Sequence, residues 1–281
     1  KGLIMHQIGT SCRPDRALAV VIGAGGMGMA IARRLSQSYR ILVADLDETR
    51  ATGFAEVLCA DGGDACAIKC DVTDPADVDA LAQAVAENGP FRVLAHVAGL
   101  SPSLADFSTI VRVNLRGPAL VTKALLPHAQ VGTAAVLIAS LAAHNVHPSE
   151  TVEAILQDAE HPDMAERLAD ALGAKGATPA AAYGLSKHAL LGLCRRQAAA
   201  WGRRRARIVT VSPGLIATPQ GATEFANNPR KYQLLDRTPL GREGTMLEIA
   251  DAVEFLVSDR ASFISGTDLL VDGGLAGTLH P

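Results

Sequence analysis

Ala17-Leu18-Ala19-Val20-Val21-Ile22-Gly23-Ala24-Gly25-Gly26-Met27-Gly28 is the stretch whose reading decides the fold. Six apolar residues in succession, bounded at once by glycine, read as a short strand buried on both faces. Gly28–Ser38 comes next as a helix. Strand, Gly-x-Gly-x-x-Gly and helix in that order make a phosphate cradle. Glycine permits the tight turn and the close approach of a pyrophosphate, and the helix N-terminus offers unpaired N–H groups and partial positive charge.

The same alternation continues along the chain. Apolar runs predict strands at Arg40–Ala44, Ala65–Cys70, Phe91–Val97, Ala134–Ala139, Arg207–Val211 and Asp268–Val271. Between them, helical patterns are expected at Pro75–Glu87, around Phe107–Ala129, from about Ala181 to Trp201, and at Met246–Leu256. Continuous apolar strands separated by helices imply a parallel sheet covered on both faces, and right-handed crossovers make it doubly wound. The expectation is an α/β protein with a Rossmann-type sheet and its ligand crevice at the carboxyl ends of the strands. The 281 residues fit one such domain over 17–281, with residues 1–16 as an N-terminal extension lacking clear periodicity.

One segment departs from this rhythm. Between Ser140 and Tyr183 lie 42 residues holding two amphipathic stretches, Pro148–Ala159 and His161–Leu172. Val152, Ile155 and Leu156 give the first an apolar stripe, and Met164, Leu168 and Leu172 give one to the second. A helical insertion over about 141–182 is expected. Its stripes would cover the protein's own surface, a partner subunit or a hydrophobic substrate.

Composition removes several function classes. A net charge of −3 gives no electrostatic case for nucleic acid. Arg203-Arg204-Arg205 with Arg207 falls between a helix and a strand and reads as a solvated turn. Cys12, Cys59, Cys66, Cys70 and Cys194 form no Cys-x-x-Cys pair, so reduced thiols in a cytoplasmic protein are expected. His144-x-x-His147 lacks a completing carboxylate or thiol cluster, so no metal is expected. The apolar stretch Ala134–Ala143 is well short of the ~18 residues of a membrane span, so no membrane association is expected. The N-terminus also lacks a signal-peptide layout.

Two further features carry chemistry. Asp45 ends the second strand, 17 positions (45 − 28) after the last glycine of the cradle. A carboxylate there accepts both ribose hydroxyls of NAD and repels the 2′-phosphate of NADP, and the loop itself holds no Arg or Lys. NAD is therefore the expected cofactor. Tyr183 and Lys187 stand at i and i+4 and share one helix face. A free Tyr, with a pKa of about 10, is a poor base near neutral pH, but an adjacent cation stabilises the phenolate.

The order of these pieces resembles the short-chain dehydrogenase/reductase family. The resemblance runs from about Ala17 to Gly274. It takes in the glycine loop, Ser140, Tyr183-Gly184-Leu185-Ser186-Lys187 and Ser212-Pro213-Gly214-Leu215-Ile216-Ala217-Thr218. The closing Ser265-Gly266 and Val271-Asp272-Gly273-Gly274 also match. It implies nicotinamide-dependent interconversion of an alcohol and a carbonyl. Tyr183 would be the general acid/base. Lys187 would lower the pKa of Tyr183 and hold the nicotinamide ribose, and Ser140 would hydrogen-bond the reacting oxygen. Asn114, within Val113-Asn114-Leu115-Arg116-Gly117, would hold a water in a proton relay.

For the cofactor, the resemblance implies contacts at Gly23, Gly25, Met27, Gly28, Asp45, Tyr183 and Lys187. Asp71 and Val72 would border the adenine, and Ala98 and Gly99 would let the ribose pass. Ile216 and Thr218 would hold the carboxamide. His96-Val97 replaces two asparagines usual in the family, and His96 is expected to be a packed or hydrogen-bonded strand residue. Ala98-Gly99-Leu100-Ser101-Pro102, the long insert, and Ala198-Ala199-Ala200-Trp201-Gly202 look like the 3α-hydroxysteroid dehydrogenase/carbonyl reductase branch. That branch implies a bulky, largely apolar secondary alcohol or ketone. It also implies a homo-oligomer, a dimer with a tetramer as the alternative. The competing reading is a catalytically silent nucleotide-binding or scaffolding member of the same fold. Loss of Tyr, Lys or Ser would mark such a member, and all three are present.

Overall fold

Successive residues of a strand face opposite sides of its sheet, and in β1 (Leu18–Ile22) both sides are covered. Leu18, Val20 and Ile22 enter one apolar layer, while Ala19 and Val21 enter the other. The computed structural model describes residues 16–219, 221, 225 and 230–279, so the expected extension lies outside them except for Arg16.

β1 leads into α1 (Gly26–Leu35), β2 (Arg40–Asp45), α2 (Glu48–Ala60), β3 (Ala65–Lys69), α3 (Pro75–Glu87) and β4 (Phe91–His96). α4 (Phe107–Val111) and α5 (Gly117–Leu125) precede β5 (Ala134–Ile138). Then come α6 (Glu150–Gln157), α7 (Met164–Gly176), α8 (Pro179–Arg203) and β6 (Arg207–Pro213). β7 (Ile216–Ala217), α9 (Arg230–Asp236), β8 (Gly244–Thr245), α10 (Met246–Val257), β9 (Asp268–Val271) and α11 (Leu275–Leu279) follow. Seven strands form one sheet in the order β3-β2-β1-β4-β5-β6-β9, all neighbours parallel. The strand order reverses between β1 and β4, which opens the crevice at their carboxyl ends. β7 and β8 pair separately.

The expected elements form, β7, β8, α9 and α11 are added to them, and three further differences stand out. α2 forms where the sequence pattern predicts no helix. The helix expected over Phe107–Ala129 is broken by a π-helical turn at Arg112–Arg116 and ends in a 3-10 turn at Leu126–His128. Arg207 is not in a solvated turn. It is buried at the start of β6, where its guanidinium donates to the carbonyls of Leu256, Ser258 and Ile264. Three carbonyls at the end of α10 and just beyond it satisfy a cation that burial would otherwise penalise.

The insertion forms α6 and α7, and its stripes are spent on the protein itself. Val152, Ile155, Leu156, Met164 and Leu168 are buried in the layer that also holds Phe107, Ile110, Ala182, Leu185 and Ala189. Burying each large side chain is worth ~1.5–3 kcal/mol. Ion pairs add to this: Lys123–Glu160 at 2.5 Å and Arg112–Glu166. Both are at least partly exposed, so each contributes at most ~1 kcal/mol. Apolar burial, not charge, fastens the insert to α4 and α8.

Candidate active site

The cradle is made of absent side chains. Gly23 has φ +104°, and a Cβ there would lie 2.7 Å from the Ala98 nitrogen. At Gly28 a Cβ would fall 1.9 Å from the Gly23 carbonyl oxygen, so this glycine lets α1 sit directly on the turn. A Cβ on Gly25 would meet no protein atom within 4 Å, so this side of the loop opens to a ligand. Gly25 is the N-cap of α1, which has no side-chain cap and no acidic residue in its first turn. By contrast, Asp47, Asp74, Ser149 and Thr178 cap α2, α3, α6 and α8. Bare N–H groups at a helix start fit a pyrophosphate.

Asp45 ends β2 with its side chain 11% exposed. Its carboxylate accepts from the Ala24 nitrogen at 2.7 Å and from the Asp47 nitrogen at 2.9 Å. These bonds fix both oxygens at the lip of the cradle and leave lone pairs for further donors. Arg50, in the first turn of α2, places its Nε 3.8 Å from Asp45 and also pairs with Asp47. Asp71 and Val72 lie just past the end of β3. The Asp71 carboxylate accepts from the Thr73 nitrogen and hydroxyl, and Val72 packs beneath Gly117. Met27 is half-buried in the first turn of α1.

The candidate reaction centre gathers at the ends of β4 and β5. The π-helical turn carries Asn114, which is fully buried. Its Oδ1 accepts from the Leu100 nitrogen at 2.7 Å, and its Nδ2 donates to the Leu100 carbonyl at 2.9 Å. The side chain is thus committed to holding the backbone after Gly99. A Cβ on Gly99 would stand 3.2 Å from Lys187 Nζ and 3.3 Å from Asn114 Oδ1, so three separate segments converge there. Lys187 is buried and donates to the Ile138 carbonyl at 2.7 Å. Its Nζ lies 5.9 Å from the centre of the Tyr183 ring. Ser140 lies two residues beyond Ile138, and its Oγ accepts from the Ala142 nitrogen at 3.2 Å.

Beyond these, Ile216 is buried in β7, and Thr218 Oγ1 accepts from the Gly221 nitrogen at 2.8 Å. The cleft of about 440 Å³ between the insert and α8 is lined by Val146, Val152, Leu172, Ala181 and Leu185. Ala181 and Leu185 lie two residues from Tyr183 and Lys187, hence on the opposite side of α8. That cleft is separate from the candidate reaction centre.

A family model described as enoyl-(acyl carrier protein) reductase matches residues 22–178 and 167–276. D-threitol dehydrogenase of Mycolicibacterium smegmatis is 33% identical over 272 residues, covering 93% of this chain and 94% of that protein. The chain belongs to the short-chain dehydrogenase/reductase family. As a member of that family it is an oxidoreductase of alcohol and carbonyl groups that binds a nicotinamide nucleotide. The 3-alpha-hydroxysteroid dehydrogenase/carbonyl reductase of Comamonas testosteroni is 31% identical over 188 residues, covering 66% of this chain and 72% of that one. Among solved structures, a 7 alpha-hydroxysteroid dehydrogenase complexed with NADH and 7-oxo glycochenodeoxycholic acid superposes with a TM-score of 0.75. It shares 25% identity, over 93% of this chain and 95% of that chain.

The short-chain dehydrogenase/reductase site has a distinctive electrostatic interior. Burial lowers the pKa of Lys187 to about 8. Burial and, secondarily, the charge of Lys187 push His96 down to about 3, so its imidazole is neutral. His96 shares the sheet face of Leu94, toward α5 and α8, and its Nε2 makes no hydrogen bond. The sequence expectation of a packed strand residue holds for its burial; the orphan nitrogen is a finding of the structure. Cys70 and Cys194 are held up to about 12, chiefly by burial, which makes poor nucleophiles of both. Among the described residues no cluster of His, Cys, Asp or Glu could hold a metal ion, and no helix is long and apolar enough to cross a membrane.

Proposed function

We propose that this protein is an NAD(H)-dependent oxidoreductase that interconverts a secondary alcohol and a ketone, with Tyr183 as general acid/base. The observation that carries the reading is the convergence of Lys187, Asn114 and Gly99 at the strand ends, one helical turn along α8 from Tyr183. A bound nicotinamide supplies the hydride acceptor or donor. Tyr183 exchanges the proton with the reacting oxygen. The Lys187 ammonium, held in a low-dielectric layer, favours the phenolate more strongly than it would in water. Ser140 donates its hydroxyl proton in a hydrogen bond to the same oxygen and polarises a carbonyl in the reductive direction. The Asn114 side chain is occupied by Leu100, so its relay water would sit on the main-chain carbonyl.

NAD is favoured because Asp45 is fixed at the lip of the cradle, where a 2′-phosphate would meet a carboxylate. Arg50 is the side chain that would answer a 2′-phosphate, so it is the residue that could reverse the preference. Bulky, largely apolar substrates are supported by Ala142 and Leu215, half-buried beside Ser140 and Ile216. A homodimer is proposed because the insert covers α4 and α8. The exposed Phe263, Leu269 and Leu270, on and beside edge strand β9, remain as apolar surface.

Absorbance at 340 nm tests the reading, with both cofactors and secondary alcohols and ketones of graded size. A kcat/KM for NAD(H) at least ~10-fold above that for NADP(H), equivalent to ~1.4 kcal/mol, is expected. Equal values or the reverse order would refute the Asp45 argument. Absence of turnover with every substrate would refute the enzyme reading.

A further inference from the structure

His144 faces a carboxylate, Asp268, and this partner links two segments that no sequence motif connects. Its Nε2 lies 2.9 Å from Asp268 Oδ2. The other oxygen, Oδ1, accepts from Ser212 Oγ at 3.0 Å. Asp268 opens edge strand β9, its side chain is only 9% exposed, and Ser212 is fully buried on β6. Val209 and Val211 face the layer of α10, so Thr210 and Ser212 face that of α8. Asp268 lies beneath α8 as well, close enough that its charge helps to raise the pKa of Cys194. One shielded carboxylate therefore takes a donor from each of two segments. His144 belongs to the 3-10 turn Leu141–Asn145 that begins at Ser140. Ser212 precedes the Gly214–Thr218 segment, whose start is tied by the Gly214 nitrogen to the Val271 carbonyl at 3.0 Å.

We propose that the His144–Asp268–Ser212 bridge is a positioning device for the reaction. It fixes the turn that orients the Ser140 hydroxyl against the segment that holds the nicotinamide. The proposal rests on the functional reading above. Ser140 Oγ takes its orientation from the turn itself, through the Ala142 nitrogen, and the Ala143 nitrogen closes the turn on the Ser140 carbonyl at 2.9 Å. At its far end the turn is held by His144 on Asp268 and by the Ala143 carbonyl against His188 Nδ1 at 3.2 Å. A buried carboxylate is costly to leave unpaired, so Asp268 holds both donors in place. A displacement of ~1 Å at the polarising hydroxyl can cost ~100-fold in rate. His144 and Asp268 act through Ser140 and are positioning residues, not catalytic ones.

The test compares wild type, His144→Leu, His144→Gln and Asp268→Asn. His144→Leu deletes the donor, and His144→Gln keeps an N–H at similar reach. Asp268→Asn leaves one accepting oxygen instead of two. For His144→Leu, kcat should fall by ~10- to 100-fold. The dissociation constant of the reduced cofactor should stay within about two-fold, since no cradle contact is lost. Amide hydrogen exchange at Ala142 and Ala143 should accelerate while the sheet amides do not change. His144→Gln should restore most of the rate, and Asp268→Asn should fall between the two. A kcat within about two-fold of wild type in His144→Leu would overturn the proposal. So would a lost rate that His144→Gln does not recover. Unchanged exchange at Ala142 and Ala143 overturns it even if the wild-type protein turns over none of the substrates, an outcome that would refute the functional reading separately.

Discussion

The two halves of the site are built from different materials. The proposed cofactor half is largely backbone: three glycines and an uncapped helix start, where a Cβ at Gly23 or Gly28 collides with main chain and one at Gly25 enters open space. The proposed reaction half is side chain: Asn114 from the π-helical turn, Ser140 from the end of β5, and Tyr183 with Lys187 from α8; Asn114, Lys187 and Ser140 are hydrogen-bonded to backbone. The contrast teaches how each half fails. Adding atoms breaks the first half, and deleting atoms breaks the second.

The largest expected effect is steric. Gly28→Ala drives a Cβ into the Gly23 carbonyl, a backbone atom with no room to yield. Overpacking of this kind costs ~1–3 kcal/mol or more, so thermal unfolding should move sharply downward and cofactor binding should be lost with it. Gly25→Ala sharpens the comparison, because its Cβ meets no protein atom. Its melting temperature should stay put while the affinity for NADH drops by ~10-fold or more, about 1.4 kcal/mol. If Gly25→Ala binds NADH normally, the phosphate does not lie where the bare helix start faces.

A smaller effect belongs to the interior of the reaction half. The pKa of His96 is about 3 in the folded protein against an ordinary 6.5. Between those values the unfolded chain binds more protons, so stability is fully present above 6.5 and drains as pH falls toward 3. The slope from this one group is at most ~1.4 kcal/mol per pH unit. Denaturant titrations of wild type and His96→Asn at pH 7 and pH 5 measure it, and the variant should lose less on acidification. Equal losses would show that His96 titrates normally.

The smallest effect lies outside both halves. Thr178 caps α8 through its hydroxyl, which accepts from the Ala181 nitrogen at 3.2 Å. Thr178→Ala should cost ~1 kcal/mol of stability and leave NADH affinity unchanged. A matching loss of NADH affinity would mean that α8 and the cradle are coupled more tightly than the comparison allows.

Most of the sheet is legible in the sequence because strands buried on both faces leave unbroken apolar runs, as at Ala17–Ile22 and Ala134–Ala139. α2 is not, although Ala51, Phe54, Ala55 and Leu58 recur at helical spacing. Two of the four are alanines, so its stripe is faint. The π-helical turn at Asn114 carries no propensity signal, since it arises from packing and not from local preference. Arg207 is indistinguishable in sequence from its exposed neighbours Arg203–Arg205 because its partners are carbonyls more than forty residues away. The amphipathic stripes of the insert are visible, but a stripe does not say what covers it; here α4 and α8 do. The Asp268 bridge joins residues over a hundred positions apart and has no sequence signature.

The most direct test of the division between the halves is Tyr183→Phe, measured for binding and turnover on the same preparation. The change removes one hydroxyl and leaves the glycine cradle, Asp45 and Lys187 in place. NADH affinity should match wild type, while ketone reduction falls by at least ~100-fold, the lower range for a lost general acid/base. Turnover retained in the Phe variant, or binding lost in step with turnover, would contradict the account.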